Sequence, residues 1–171
     1  MRAKIVEIPT FNELYDLAPT EIKDYIDRCE RTPQSPDWHP EGDVKNHIKI
    51  VYNRARKTGD INLALAAFFH DLGKADVTKP STSTPGSWSA HGHERVSARL
   101  VDKYANWIEE LGGNSDEVYD IVKQHMRIKQ YNVMRPHKRK AMEEDPLFPK
   151  YQQFTQFDDM QTLTQDELKY I

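Results

Sequence analysis

The chain has 171 residues, 37% of them apolar and 30% charged, with a formal net charge of −3. This length suits one domain, and the mild negative charge argues against a basic surface with general nucleic-acid affinity. A single cysteine, Cys29, excludes an intrachain disulfide and fits a reducing compartment.

No apolar run approaches membrane-spanning length, and the N-terminus lacks a secretory h-region, so a cytoplasmic location away from membranes is expected. A local basic cluster, Arg135-Pro136-His137-Lys138-Arg139-Lys140, reads as a solvated helix start, and no stable nucleic-acid complex is expected.

Residues 1–9 read as a short extended lead. Thr10, with Glu13 three positions on, forms a capping box for a helix from Phe11 to near Pro19. Thr20 is placed as the cap of a second helix, whose inner face carries Ile22, Tyr25, Ile26 and Cys29, the cysteine being a small core residue. Three prolines and a glycine make residues 31–42 a loop. Asp43 caps a helix running to about Thr58, with Val44, His47, Ile48, Val51, Tyr52 and Ala55 as its stripe. Gly59 ends it, and Asp60 or Asn62 starts the next.

The helix predicted over Ile61–Leu72 is apolar almost all round and belongs at the centre of the domain. Residues 75–90, rich in Ser, Thr, Pro and Gly, read as a long loop carrying Trp88. One long helix follows from about His91 to Leu111, striped by Val96, Leu100, Val101, Tyr104, Trp107, Ile108 and Leu111 and stopped by Gly112-Gly113. Ser115 is placed as the cap of a helix carrying Val118, Ile121, Val122 and His125. Residues 129–149 read as polar and irregular, with a helical turn or two after Pro136. A last substantial helix from near Pro149 carries Tyr151, Phe154, Phe157, Asp158 and Asp159, and Thr164 caps a short tail helix. No segment reads as a strand. The fold class is all-α: one domain over residues 1–171, with a core of about 38–160 on which helices within 10–30 pack.

Four histidines lie on the apolar stripe of their own helix. His47 sits between Val44 and Val51, His70 ends the central helix, His93 precedes Val96 by three, and His125 follows Val122 by three. Residues three and four apart share a helix face, so all four imidazoles point inward. Burying them beside Asp71 is costly without a common partner, and a divalent metal is one. Asp158 shares the inward stripe of Tyr151 and Phe154, whereas Asp159 aligns with Gln152 and Thr155, so Asp158 is the chosen C-terminal carboxylate. His39 and His137, beside prolines in polar loops, read as surface residues, as does His91.

These residues resemble the H…HD…D motif of the HD-domain metal-dependent phosphohydrolase superfamily, as His47, His70-Asp71 and Asp158. The resemblance extends from about Trp38 to Met160. Trp38-His39-Pro40-Glu41-Gly42-Asp43-Val44-Lys45-Asn46-His47, Phe69-His70-Asp71-Leu72-Gly73-Lys74 and His91-Gly92-His93-Glu94 are each similar to segments of the HD domain in bacterial CCA-adding tRNA nucleotidyltransferases. The 171 residues leave no room for a nucleotidyltransferase domain. The region after Lys129 does not look like the tRNA-binding part of those enzymes.

The resemblance therefore implies hydrolysis of phosphomonoesters or 2′,3′-cyclic phosphates, on a nucleotide or other small phosphorylated substrate, and not CCA addition. It implies a helical bundle in which His47, His70, Asp71 and Asp158 hold a divalent ion (Mg, Mn, Ni, Co, Zn or Fe). His93 and His125 complete a second metal site, with Asp71 as bridge, or bind phosphate. Lys74 places positive charge on the phosphate. Arg95 and Arg127 are further candidates for phosphate contact, and Trp88 for stacking on a base. The same six ligand types also resemble mixed-valent di-iron oxygenases of the superfamily, such as myo-inositol oxygenase and organophosphonate-cleaving enzymes. A catalytically silent nucleotide-binding module is a third reading.

Overall fold

A computed structural model describes residues 7–171. Most of the expected N-terminal lead lies outside the described residues.

The fold is all-α and is built around one apolar helix. Helices α1 (Phe11–Leu17), α2 (Thr20–Cys29) and α3 (Val44–Arg56) precede it; α4 (Ile61–Phe69) is the central one. From Leu63 to Phe69 every side chain of α4 is buried. It packs against α3, α6 (His93–Lys103), α8 (Ser115–Gln124) and α10 (Phe148–Asp158), while α1 and α2 pack on α3. Phe68 anchors an aromatic cluster, with ring centroids 5.7 Å from Phe11, 6.0 Å from Tyr52, 5.8 Å from Phe69 and 6.3 Å from Trp107. Each large apolar side chain buried in this way contributes about 1.5–3 kcal/mol.

The capping box of Thr10 and Glu13 forms, and Asp43 and Asp60 cap α3 and α4. Two caps differ from expectation. Pro19 precedes α2, with Thr20 as its first helical residue. Asn114, not Ser115, caps α8, its side chain accepting from the Glu117 N–H at 3.0 Å. In both cases the chain enters the helix one position earlier: Pro19, with its fixed φ, makes an extended entry without a side-chain cap bond, and Asn114 supplies the capping oxygen itself.

Four longer stretches also depart from the sequence reading. The central helix stops at Phe69, three residues early, so His70 is its C-cap. The single helix expected from His91 to Leu111 is two, α6 and a shorter α7 (Ala105–Glu110), broken where Tyr104 leaves helical geometry at φ −108°, ψ 27°. No proline or glycine marks the break; the bend lays Trp107 on Phe68 and Phe69. The long loop after Asp71 contains a one-turn helix α5 (Lys74–Val77) and a two-residue antiparallel pair, β1 (Lys79–Pro80) with β2 (Trp88–Ser89). Within residues 129–149, a 3-10 segment over Ile128–Val133 replaces expected irregular chain, and helix α9 (Pro136–Glu143) forms where a helical turn or two was expected after Pro136.

One glycine matters for closure around the centre. A Cβ on Gly73 would lie 2.3 Å from the carbonyl oxygen of His93 and 2.8 Å from Val96 Cβ. Only glycine lets the start of α6 come down onto the His70-Asp71 turn. Gly73 N–H donates to Ser97 Oγ at 2.9 Å across this contact.

The C-terminal segment is tied to α3 by one side chain. Arg54 makes a two-pronged pair with Glu167, Nε to Oε2 at 2.5 Å and Nη2 to Oε1 at 2.9 Å. Its Nη1 also donates to the carbonyls of Phe157 and Asp159, both at 2.9 Å, so it grips the backbone on either side of Asp158. Glu167 belongs to helix α11 (Gln165–Leu168) and to the capping box of Thr164. Arg54 holds the Glu167 carboxyl down at about 2, against an ordinary 4.5. A lowered carboxyl stabilises the fold above pH 4.5, and that stabilisation is lost as pH falls toward 2. Glu167→Gln should lower stability at pH 7 by about 1–2 kcal/mol. Melting curves of the two proteins should lie a few degrees apart at pH 7 and converge as pH falls through 4 to 2; a gap that persists at the acid end would refute the pairing.

Candidate metal centre

The six ligand-type residues of the sequence reading meet in one buried space. Helix α3 brings His47 from its first turn. His70 caps the C-terminus of α4, with Asp71 next to it. His93 opens α6, His125 caps the C-terminus of α8, and Asp158 ends α10. All six are buried, none more than 7% exposed. Three helix C-termini, those of α4, α8 and α10, therefore turn their partial negative charge toward the same point, an arrangement that favours a cation. The N-terminus of α6 opposes them.

Each imidazole is oriented through its Nδ1. The Nδ1–H of His70 donates to the Ala67 carbonyl at 2.6 Å, that of His93 to Ala90 at 2.8 Å, and that of His125 to Val122 at 2.6 Å. His47 uses its Nδ1–H on Glu41 Oε1 at 2.8 Å. These partners assign the proton to Nδ1 and leave Nε2 as the inward-facing atom of all four rings.

The inward atoms are too close to one another to be a satisfied polar core. His47 Nε2 lies 3.3 Å from His70 Nε2, and His93 Nε2 lies 3.2 Å from His125 Nε2. Asp158 Oδ1 is 2.7 Å from His47 Nε2 and 3.4 Å from His70 Nε2. Asp71 divides its two oxygens. Oδ2 faces His47 and His70 at 3.3 and 3.4 Å; Oδ1 faces His93 and His125 at 3.1 and 3.4 Å. Two donor sets result, His47-His70-Asp71-Asp158 and Asp71-His93-His125, sharing Asp71.

A second proton on His47 Nε2 relieves part of this crowding. Burial disfavours that charge, but the hydrogen bonds to Asp158 and Glu41 outweigh it and raise His47 to about 9. His125 goes the other way: burial lowers it to about 4, against the pull of Asp71. Both aspartates sit well below the carboxylate range despite burial, which alone would raise them; His70 and Lys74 hold Asp71 down, and Lys129 and His47 hold Asp158 down. Around His93 and His125 lone pairs still face carboxylate oxygen. Imidazole nitrogen with carboxylate oxygen is a donor set for a divalent first-row ion, so the residues present fit a metal.

The surroundings contain residues that the sequence reading did not select. Glu41 is 3% exposed and accepts through one oxygen from both His47 Nδ1 and His39 Nδ1, at 2.8 Å each; its other oxygen is buried without a partner among the described residues. Burial pushes its carboxyl up, and the two histidine bonds bring it down to about 2. His39 is accordingly not a surface residue: its ring stands edge-on to that of His47 with centroids 5.1 Å apart. Lys129 Nζ lies 2.7 Å from Asp158 Oδ2. Glu41 and Lys129 sit in a proline-broken loop and a 3-10 segment, where helical phase does not apply. The only sequence signal for Glu41 was its place between His39 and His47.

Lys74 reaches the centre, its Nζ 3.2 Å from Asp71 Oδ2 and 2.9 Å from Gln34 Oε1. Trp88 stands 39% exposed on the rim, in a cleft shared with Lys74 and His93. Arg95 is exposed and lines neither cleft that borders the cluster. Arg127 is exposed as well and lines a separate small cleft with Lys138 and Tyr151. Asp159 is exposed and caps the next 3-10 turn, its carboxylate accepting from Gln161 N–H. His91 and His137 are exposed.

Because Glu41 sets the orientation of His47, Glu41→Gln should weaken binding of Mn2+ or Zn2+ by about 10–100-fold, read by competition with a chelator. Unchanged affinity would mean that the Glu41–His47 contact does not serve the metal.

The comparisons with known proteins agree with this geometry. The HD domain family matches residues 44–153. Similar curated proteins are multifunctional CCA proteins. That of Thioalkalivibrio sulfidiphilus is 42% identical over 77 residues, covering 44% of this chain and 18% of the relative. That of Nitrosospira multiformis is 37% identical over 86 residues, covering 49% and 19%. That of Vibrio cholerae is 30% identical over 113 residues, covering 65% and 27%. The chain thus spans between about a fifth and a quarter of the length of these relatives. No solved structure gives a significant match. A domain match over most of the chain, on the segment that carries five of the six converging ligand-type residues, places this protein in the HD-domain family.

Proposed function

We propose that the protein is a metal-dependent phosphohydrolase acting on a nucleotide or another small phosphoester, either a phosphomonoester or a 2′,3′-cyclic phosphate. The observation that carries this reading is the convergence of His47, His70, Asp71 and Asp158, with Lys74 beside them, at the edge of an open cleft. A divalent ion bound there supplies a Lewis acid for the phosphoryl oxygen and lowers the pKa of a coordinated water. The protein's own groups do the rest. The Nδ1 contacts hold the imidazoles rigid, so little reorganisation accompanies reaction. Lys74 balances charge on the phosphoryl group, and the buried helix ends keep bulk water from the ligand side. The resemblance to multifunctional CCA proteins is confined to 18–27% of their length, and CCA addition is not carried over to this chain.

One observation favours a second reading, a di-iron oxygenase: Asp71 presents one oxygen to each of two donor sets. Metal content and co-substrate separate the two. Protein purified without a metal-affinity step should contain Mg, Mn, Ni, Co, Zn or Fe and release phosphate or open the ring in a panel of nucleoside monophosphates and 2′,3′-cyclic nucleotides. Two irons per chain, with oxygen uptake on a diol or an aminophosphonate, would overturn the hydrolase reading. Asp71→Ala should abolish release, and Lys74→Ala should lower kcat by about 10²-fold. Release unchanged in Asp71→Ala would place the active site elsewhere.

A further inference from the structure

The metal centre opens to solvent on two sides. One groove, about 340 Å3, is walled by Gln34, Trp38, His39, Lys74, Trp88 and His93. The other, about 510 Å3, is walled by Trp38, His39, Lys129, Gln156, Asp158 and Met160. Trp38 and His39 belong to both and form the ridge between them. The grooves meet different ligands of the centre, His93 in one and Asp158 in the other.

Each groove carries one lysine against a ligand carboxylate. Lys74 is 3.2 Å from Asp71 Oδ2, and Lys129 is 2.7 Å from Asp158 Oδ2. Each also offers aromatic or apolar surface to a planar group. Trp88, 39% exposed, rims the first groove, and Trp38, 70% exposed on the ridge, flanks the second. The ridge is braced: the Ser35 and Ser87 hydroxyls are hydrogen-bonded, and Trp88 N–H donates to Ser35 Oγ at 3.1 Å. Both volumes are of the size that holds a small ligand or a substantial piece of one. A phosphomonoester has a single substituent and occupies one groove, leaving the Lys129 groove without a role.

Resting on the hydrolase reading, we propose that the site also takes a linear phosphodiester. Its phosphoryl group lies at the ligand cluster, one substituent fills the Lys74–Trp88 groove, and the other fills the Lys129–Gln156 groove. Hydrolysis forms one bond from a water oxygen to phosphorus and breaks the bond from phosphorus to one substituent oxygen. One water proton ends on the departing alcohol and the other on the phosphomonoester, from which solvent takes it.

The test is calorimetric binding to the Mn2+-loaded full chain of two probes, a phosphorothioate-linked dithymidine and thymidine monophosphorothioate. Two bases each gaining a stacking surface should make the dinucleotide bind about tenfold or more tightly than the mononucleotide. Trp38→Ala, which removes the exposed indole beside the second groove and leaves Trp88 in the first, should bring that ratio close to one. Equal binding of the two probes by the unaltered protein, or a ratio that survives Trp38→Ala, would overturn the proposal. The oxygen-linked dinucleotide separates this from the hydrolase reading. If the affinity ratio behaves as expected but no nucleoside is released with any of the candidate metals, the two-groove assignment stands and the hydrolytic reading fails.

Discussion

Four imidazole nitrogens and three carboxylate oxygens, on six buried residues, face one another at 2.7–3.4 Å. Without a cation, most of these contacts set lone pair against lone pair, and each unmatched buried group costs about 1–3 kcal/mol. The protein does not relieve the crowding by letting the rings turn. Three Nδ1–H groups are committed to the carbonyl three residues back, and the fourth is committed to Glu41. The fold is thus organised to hold a repulsive arrangement in place, and a bound metal is what turns it into an attractive one.

Much of the architecture serves that end. The apolar α4 gives the bundle an axis, and its end at Phe69 leaves His70, still in helical geometry as the C-cap, beside Asp71 in the turn that follows, with both side chains at the same centre. Gly73 lets His93 come in over that turn. The α10 end is fixed from behind, where Arg54 grips the two carbonyls flanking Asp158 and is itself locked by Glu167. Positioning of the last ligand therefore depends on contacts made by the C-terminal segment, outside the stretch matched by the HD domain family.

The helical parts were legible in the sequence because periodicity reports which face is buried. His47, His93, His125 and Asp158 each fall on an apolar stripe, and their burial follows from that alone. Phase also separated Asp158 from its exposed neighbour Asp159. What periodicity cannot report is chain outside regular helix. Glu41 and His39 lie in a loop broken by prolines, and Lys129 in a 3-10 segment, so nothing in their spacing marks them as neighbours of the centre. The break at Tyr104 was hidden for a different reason: the residues around it are ordinary helix formers, and packing of Trp107 on α4 decides the bend. Arg95 and Arg127, named as further candidates for phosphate contact, are exposed and line neither groove beside the cluster.

Anomalous diffraction from crystals grown with Mn2+, recorded on either side of the manganese edge, tests directly whether the crowded histidine and aspartate atoms are metal ligands. A peak is expected within bonding distance of His47 Nε2, His70 Nε2, Asp71 Oδ2 and Asp158 Oδ1, with any second peak toward Asp71 Oδ1, His93 and His125. Manganese found only at surface carboxylates, with the four Nε2 atoms turned apart or bridged by water, would contradict that assignment.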